Sequence, residues 1–216
     1  MTTLPVSPTR SHYWPTLNNC PNLAALLILL IPAALPAEGF YREGIITKPD
    51  PEMFSVCFDH SCKTVVTDSL TPGEWRRAIQ PLQPPSHSAA GERSALARSI
   101  ALFEEIVGEH TGTSNDRGGS VPGFGQPGQL DCIDESTNTT TYLRLLERHG
   151  LLKYHSVVDR ATRFGLSVGM PHTTAVIREH ATGARFAVDS WFFDNGERPY
   201  IVALGEWESG NDPEGH

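Results

Sequence analysis

The chain has 216 residues, 17 Lys and Arg against 25 Asp and Glu, and 39% hydrophobic residues. That length closes one sizeable core with a small appendage at most, so one main domain is expected. A net charge of -8, with no Lys/Arg run interleaved with aromatics, argues against nucleic acid as a partner. The 4 Trp, 9 Phe and 5 Tyr argue against disorder.

The first 37 residues contain one charged residue, Arg10, and no acid. A polar stretch leads into the apolar run from Leu23 to Ile31, followed by Pro32, small residues up to Ala37, then Glu38 and Gly39. This order reads as a signal peptide over 1–37, cut after Ala37. Leu23 to Ala37 is 15 residues, whereas spanning a bilayer takes roughly 20 apolar residues in helix. An exported, periplasmic location is therefore expected, the alternative being an inner-membrane anchor made by the uncleaved segment. Cys20 leaves with the signal, and Cys57, Cys62 and Cys132 remain. Cys57 and Cys62 stand five apart and suit a local disulfide, which leaves Cys132 as a free thiol. The rival reading is a metal site of Cys57, His60 and Cys62, for which no fourth ligand stands at the right spacing.

Residues 38–90 read as an N-terminal extension or small subdomain. Within it, Lys63 to Thr67 is a short β-rich run. Thr71-Pro-Gly-Glu74 then opens a helix with a capping box, which Pro81 must end. The main domain is expected over 91–216. Leu96, Ile100, Phe103 and Ile106 recur at helical spacing within Glu92 to Glu109. Thr111 to Gln129 holds six Gly and two Pro, a loop long enough to suggest a functional role. Cys132 to His149 reads as a helix stopped by Gly150, although its Ser/Thr/Asn-rich middle needs burial to hold it. Strands are expected at Tyr154–Val158, His172–Ile177, Ala184–Trp191 and Tyr200–Leu204, with a turn at Ala181-Thr-Gly183. Helices first and antiparallel strands afterwards make an α+β fold.

Three residues combine into a nucleophile arrangement. Cys132 opens a helix after the Gly-rich loop, where unpaired backbone N–H groups and the helix dipole favour a thiolate. His172 starts one strand and Asp189 lies in the next strand of the same hairpin. Around that turn, positions whose numbers sum to about 361–365 face each other, so the register permits an imidazole–carboxylate pair. An imidazole beside the thiol takes its proton and later protonates a leaving group, and the carboxylate fixes the tautomer. Gln126 and Gln129 are candidates to supply an oxyanion donor alongside the Cys132 backbone N–H. Asp131, Asp134 and Glu135 read as capping and dipole-complementing acids rather than a calcium site. The remaining histidines show no ligand spacing, and Gly123-Phe-Gly125 lacks the pattern of a nucleotide loop, so neither metal nor cofactor is expected.

Leu130-Asp-Cys-Ile-Asp134 at a helix start, Pro171-His172 before a strand, and Phe186-Ala-Val-Asp-Ser-Trp191 resemble the Cys, His and Asp motifs of the transglutaminase-like, papain-like cysteine peptidase superfamily, particularly its bacterial transglutaminase-like members. The resemblance covers about Gly128 to Trp191. It implies a papain/transglutaminase-like core in which the nucleophile helix packs on an antiparallel sheet, with Cys132 as nucleophile, His172 as general base and Asp189 as orienting acid. The implied activity is hydrolysis of an amide or isopeptide in a peptide, protein or cell-wall component, through a Cys132 thioester. The alternative is a non-catalytic periplasmic module of the same fold that binds a peptide or protein.

Overall fold

The computed structural model describes Met1 and residues 44–119, 125–164 and 171–214. The expected signal segment, apart from Met1, lies outside the described residues. Ala37–His216 forms one compact unit, α+β in architecture, and no helix among the described residues is long and apolar enough to cross a membrane.

The front section is a hairpin and a short helix. Strand β1 (Phe54–Phe58) pairs antiparallel with β2 (Thr64–Asp68). The expected strand is thus β2, shifted by one residue, and β1 is an addition to the sequence reading. Four consecutive residues at the tip, Asp59, His60, Ser61 and Cys62, have positive φ between 53° and 66°. Left-handed backbone is costly for side-chain-bearing residues, so the surroundings must hold this turn in place. Helix α1 (Pro72–Ile79) begins as expected: the Thr71 hydroxyl accepts from the Glu74 N–H, and the Glu74 carboxylate accepts from the Thr71 N–H. Pro81 falls in the single 3-10 turn that follows.

Helix α2 (Ala89–Thr111) carries the anticipated stripe inward, with Leu96, Ile100, Phe103 and Ile106 all buried. Helix α3 (Cys132–Arg148) ends at Gly150, whose φ of 68° is the left-handed stop. Its Ser136–Thr141 segment is buried throughout. The hydroxyls of Thr137, Thr140 and Thr141 each bond back to the carbonyl four residues earlier, which satisfies them inside the packed interior. Burial thus secures a helix that propensity alone disfavours.

The second sheet is a four-stranded antiparallel meander, β3 (His155–Phe164), β4 (Pro171–Glu179), β5 (Arg185–Asp189) and β6 (Tyr200–Ala203), in sequential order. β3 runs past the expected Val158, with an irregularity in register between Val158 and Ala161. One face, including Ala175, Ile177 and Val188, joins Leu143, Leu145, Leu146 and the α2 stripe in the main core. The other face, with Val176 and Ala187, is covered by Leu204 and Trp207 of a last short helix, α4 (Leu204–Glu208), which the sequence reading did not anticipate. Phe54, Val56, Leu70, Ile79 and Leu82 belong to the main core. Residues from 54 to 82 thus share one core with α2, α3 and the second sheet.

A buried hydrogen-bond cluster around Glu92 ties α2 to the sheet. Glu92 accepts from the backbone N–H of Lys153, Tyr154 and His155 and lies 2.8 Å from His155 Nδ1. His155 is a fully enclosed structural histidine, with Arg93 on its other ring nitrogen.

Candidate active site

Two backbone placements create the site. α3 begins at Cys132 because Asp131 caps it: the Asp131 carboxylate accepts from the N–H of Ile133 and Asp134, and Asp134 reciprocates toward the Asp131 N–H. His172 is the second residue of β4. Helix start and strand start meet where Cys132 Sγ lies 3.9 Å from the Pro171 carbonyl. Cys132 is partly exposed and is the free cysteine among the described residues.

His172 is 6% exposed and engages two partners. Its Nε2 lies 2.7 Å from Asp189 Oδ2, and Cys132 is near enough to the ring to raise its pKa. The β4/β5 ladder pairs Ala175 with Val188 and Val176 with Ala187. Continued to the strand end, that register sets Asp189 opposite Thr174, so the imidazole and carboxylate meet along the diagonal of one sheet face. Burial, the largest single influence on His172, pulls its pKa down. The hydrogen bonds and negative charges of Asp189 and Cys132 together outweigh it and raise the value to about 9. The ring is thus an imidazolium at neutral pH.

Asp189 is 2% exposed. Its Oδ2 also accepts from the indole Nε1–H of Trp207 at 2.7 Å, and its Oδ1 from the Trp191 N–H at 3.3 Å. Trp191, Phe192 and Trp207 surround the His172 ring at centroid distances of 4.8, 5.3 and 5.6 Å. Trp207 is the site residue that sequence reasoning missed. It sits in a five-residue helix beyond the last strand, where no periodicity marks it, and its one local signal is an indole near the end of the described chain.

The two glutamines part ways. Gln129 is buried, its Oε1 accepting from the Arg117 N–H and its Nε2 donating to the Asn115 carbonyl. Its amide therefore braces the Gly-rich loop and is not directed at an oxyanion. Gln126 is exposed on that loop and remains the side-chain candidate. Gly118 holds the loop against the segment after β5, because a Cβ there would stand 2.3 Å from the Phe192 carbonyl oxygen.

The hairpin tip supports the start of α3. Asp131 Oδ2 accepts from the Ser61 N–H, and Asp134 accepts from the N–H of His60 and Cys62. Asn138 exchanges two hydrogen bonds with the Cys57 backbone, each 2.8 Å. The Gly125 N–H donates to His60 Nε2 at 3.3 Å. The sulfurs of Cys57 and Cys62 are in contact, with Cα atoms 4.7 Å apart. Cys57, Cys62 and Asp134 bring their ligand-type atoms within 4.8 Å of one another. His60 is not in that group, and Asp134 is already bonded to backbone amides. The group that forms among the described residues therefore differs from the rival set of Cys57, His60 and Cys62 in having Asp134 in place of His60.

Glu135 corrects an expectation. It is buried rather than complementing the helix dipole, and it hydrogen-bonds Asp116, whose carboxylate accepts from the Leu130 N–H. Burial, then the charges of Glu104 and Asp116, raise the Glu135 pKa well above the carboxylate range. Burial and the Asp116 charge push Glu104 up to about 8 against hydrogen bonds from Ser190 and Gly196. Burial, foremost, also lifts Asp116 to about 6 and, with the Asp131 charge, Asp134 to about 7. A protonated Glu135 is able to donate to Asp116, which also accepts from the Leu130 N–H just before Cys132. Compared with protein-family models, curated proteins and solved structures, the chain gives no match.

Proposed function

We propose that the protein is an exported cysteine-dependent amide or isopeptide hydrolase with a papain/transglutaminase-like core, in which Cys132 is the nucleophile, His172 the acid–base and Asp189 the orienting carboxylate. The observation that carries this reading is the buried His172–Asp189 pair, 2.7 Å apart, with the Sγ of the free Cys132 3.9 Å from the carbonyl of Pro171, the residue before His172. Each half of that arrangement has a bland use. Their convergence at a helix N-terminus is what nucleophilic catalysis requires.

The chemistry follows from the proton positions. With Nε2–H donated to Asp189, Nδ1 holds the proton taken from sulfur. Sγ attacks the amide carbonyl carbon, and the oxyanion is met by the Cys132 N–H and Gln126. The C–N bond breaks as the Nδ1 proton passes to the leaving nitrogen, releasing an amine and leaving a thioester. Nδ1 then takes a proton from water, which attacks the thioester, expels Sγ and yields a carboxylic acid. Water outnumbers amine acceptors, which favours hydrolysis over transfer. The segment 1–37 supports export, and a Cys57–Cys62 disulfide fits an oxidising compartment.

The test is the iodoacetamide alkylation rate of Cys132 at pH 6 in the purified chain, with peptide mapping to the Cys132 peptide. The reading expects a rate at least ~10-fold above that of a free thiol peptide, abolished as an excess by His172→Ala. A rate equal to the free peptide and indifferent to His172→Ala would refute an activated pair and favour the binding module.

A further inference from the structure

Phe164 is 84% exposed. It ends β3 directly opposite Pro171, which is itself exposed. The ladder also fixes which face they occupy. Thr162 and Thr173 are partners whose hydroxyls meet at 2.9 Å. Phe164 and Pro171, two positions further along, fall on that same face by strand alternation. Ala175, Ile177 and Val188 continue it into the core shared with α3, the helix whose first residue is Cys132. The Pro171 carbonyl lies 3.9 Å from Cys132 Sγ, and His172 follows Pro171 in the chain. An aromatic ring and a pyrrolidine ring thus form an uncovered apolar platform immediately beside the sulfur.

We propose that this Phe164–Pro171 platform is a substrate subsite that receives a large apolar or aromatic side chain from the acyl donor, within two residues of the bond Cys132 attacks. The inference rests on the hydrolase reading and names its substrate class. A reacting carbonyl carbon must come within ~3.5 Å of Sγ. An extended peptide advances ~3.5 Å per residue, and paired strands stand ~5 Å apart. A side chain one or two residues from the scissile bond therefore lands on the platform. A polar group there would shed water against two apolar rings and gain no partner, whereas an apolar one gains from the same burial. Trp191 does not compete for this role, because its ring packs at a tilt against His172, 4.8 Å between centroids.

The experiment compares second-order alkylation of Cys132 by N-benzyl iodoacetamide and by iodoacetamide, each normalised to glutathione, in the wild-type chain, Phe164→Ser and Phe164→Leu. The wild-type ratio should exceed that of glutathione at least fivefold and saturate with the benzyl reagent. Phe164→Ser should bring it to the glutathione value, and Phe164→Leu should retain part of the preference. Because Phe164 is exposed, the variants retain the fold, which circular dichroism checks. A wild-type ratio equal to glutathione, or a preference that survives Phe164→Ser, overturns the subsite and leaves the hydrolase reading standing. A simple iodoacetamide rate that His172→Ala fails to slow refutes the hydrolase reading instead, whatever the ratio. A Cys132 that reacts with neither reagent overturns both.

Discussion

The Asp189 carboxylate holds His172 Nε2 at 2.7 Å, although the sheet register does not set the two residues opposite each other. Across that diagonal one hydrogen bond orients the ring at the start of β4, next to the Pro171 carbonyl that Cys132 Sγ approaches. Since burial alone would lower the His172 pKa, its rise to about 9 depends on its two neighbours, Asp189 first and then Cys132. Asp189→Asn keeps the shape and removes a charge. The expected result is a His172 pKa shifted down from about 9, read by NMR titration of its Cε1–H, with at least a ~10-fold slower alkylation of Cys132 at pH 6. An unmoved titration midpoint would show that Asp189 does not set the ring's charge.

Trp207 acts on the ring through Asp189. Trp207→Phe preserves most of the packing against Val176 and Ala187 and removes the indole donor from Oδ2. Asp189 then concentrates its charge on His172, so the midpoint of His172 should move up, opposite in sign to Asp189→Asn. The alkylation rate should nonetheless fall ~10-fold, because a hydrogen bond to a charged group contributes ~1.5–3 kcal/mol to holding the carboxylate in place. A purely structural tryptophan would leave the midpoint where it is.

The hairpin tip and the start of α3 are one mechanical unit. Ser61, His60 and Cys62 donate backbone N–H groups to Asp131 and Asp134, the residues that cap α3. Joining Cys57 to Cys62 closes a loop short enough to restrict the unfolded chain by about 2 kcal/mol. Cys57→Ser with Cys62→Ser should lower the Tm by ~4–8 °C and slow Cys132 alkylation, because the left-handed tip loses its clamp. Peptide mapping of the wild-type chain, alkylated in denaturant without reductant, should find Cys57 and Cys62 unlabelled. Labelling of both would show that they are thiols.

Glu104 gives the pH dependence of stability. Its folded pKa, about 8, stands above the ordinary 4.5, so the folded state binds the extra proton between those values. The contribution is present in full below pH 4.5 and is lost as pH rises through about 8. Glu104→Gln keeps a hydrogen-bonding side chain and cannot ionise. Its Tm should exceed that of wild type by several degrees at pH 8.5, with the difference closing toward pH 4.5, as differential scanning calorimetry would record. An equal offset at both ends would mean that Glu104 does not bind this proton.

Local signals account for much of what the sequence determined by itself. The capping box at Thr71, the apolar stripe from Leu96 to Ile106 and the stop at Gly150 depend on neighbours within a few residues, and each appears in the structure as read. The His172–Asp189 contact and the helix start at Cys132 were also legible, because hairpin register is short-range arithmetic and Asp131 marks the helix start. Other features were decided between residues far apart in the chain. Trp207 of α4 donates to Asp189 of β5, Glu135 is buried near the charges of Glu104 and Asp116, and Gln129 is claimed by Asn115 and Arg117. The strained tip at Asp59–Cys62 is held by acids more than seventy residues later. Periodicity and propensity record only which faces are apolar and where backbone can turn. Which buried polar group meets which partner is a long-range condition that the chain satisfies only once the core has closed around it.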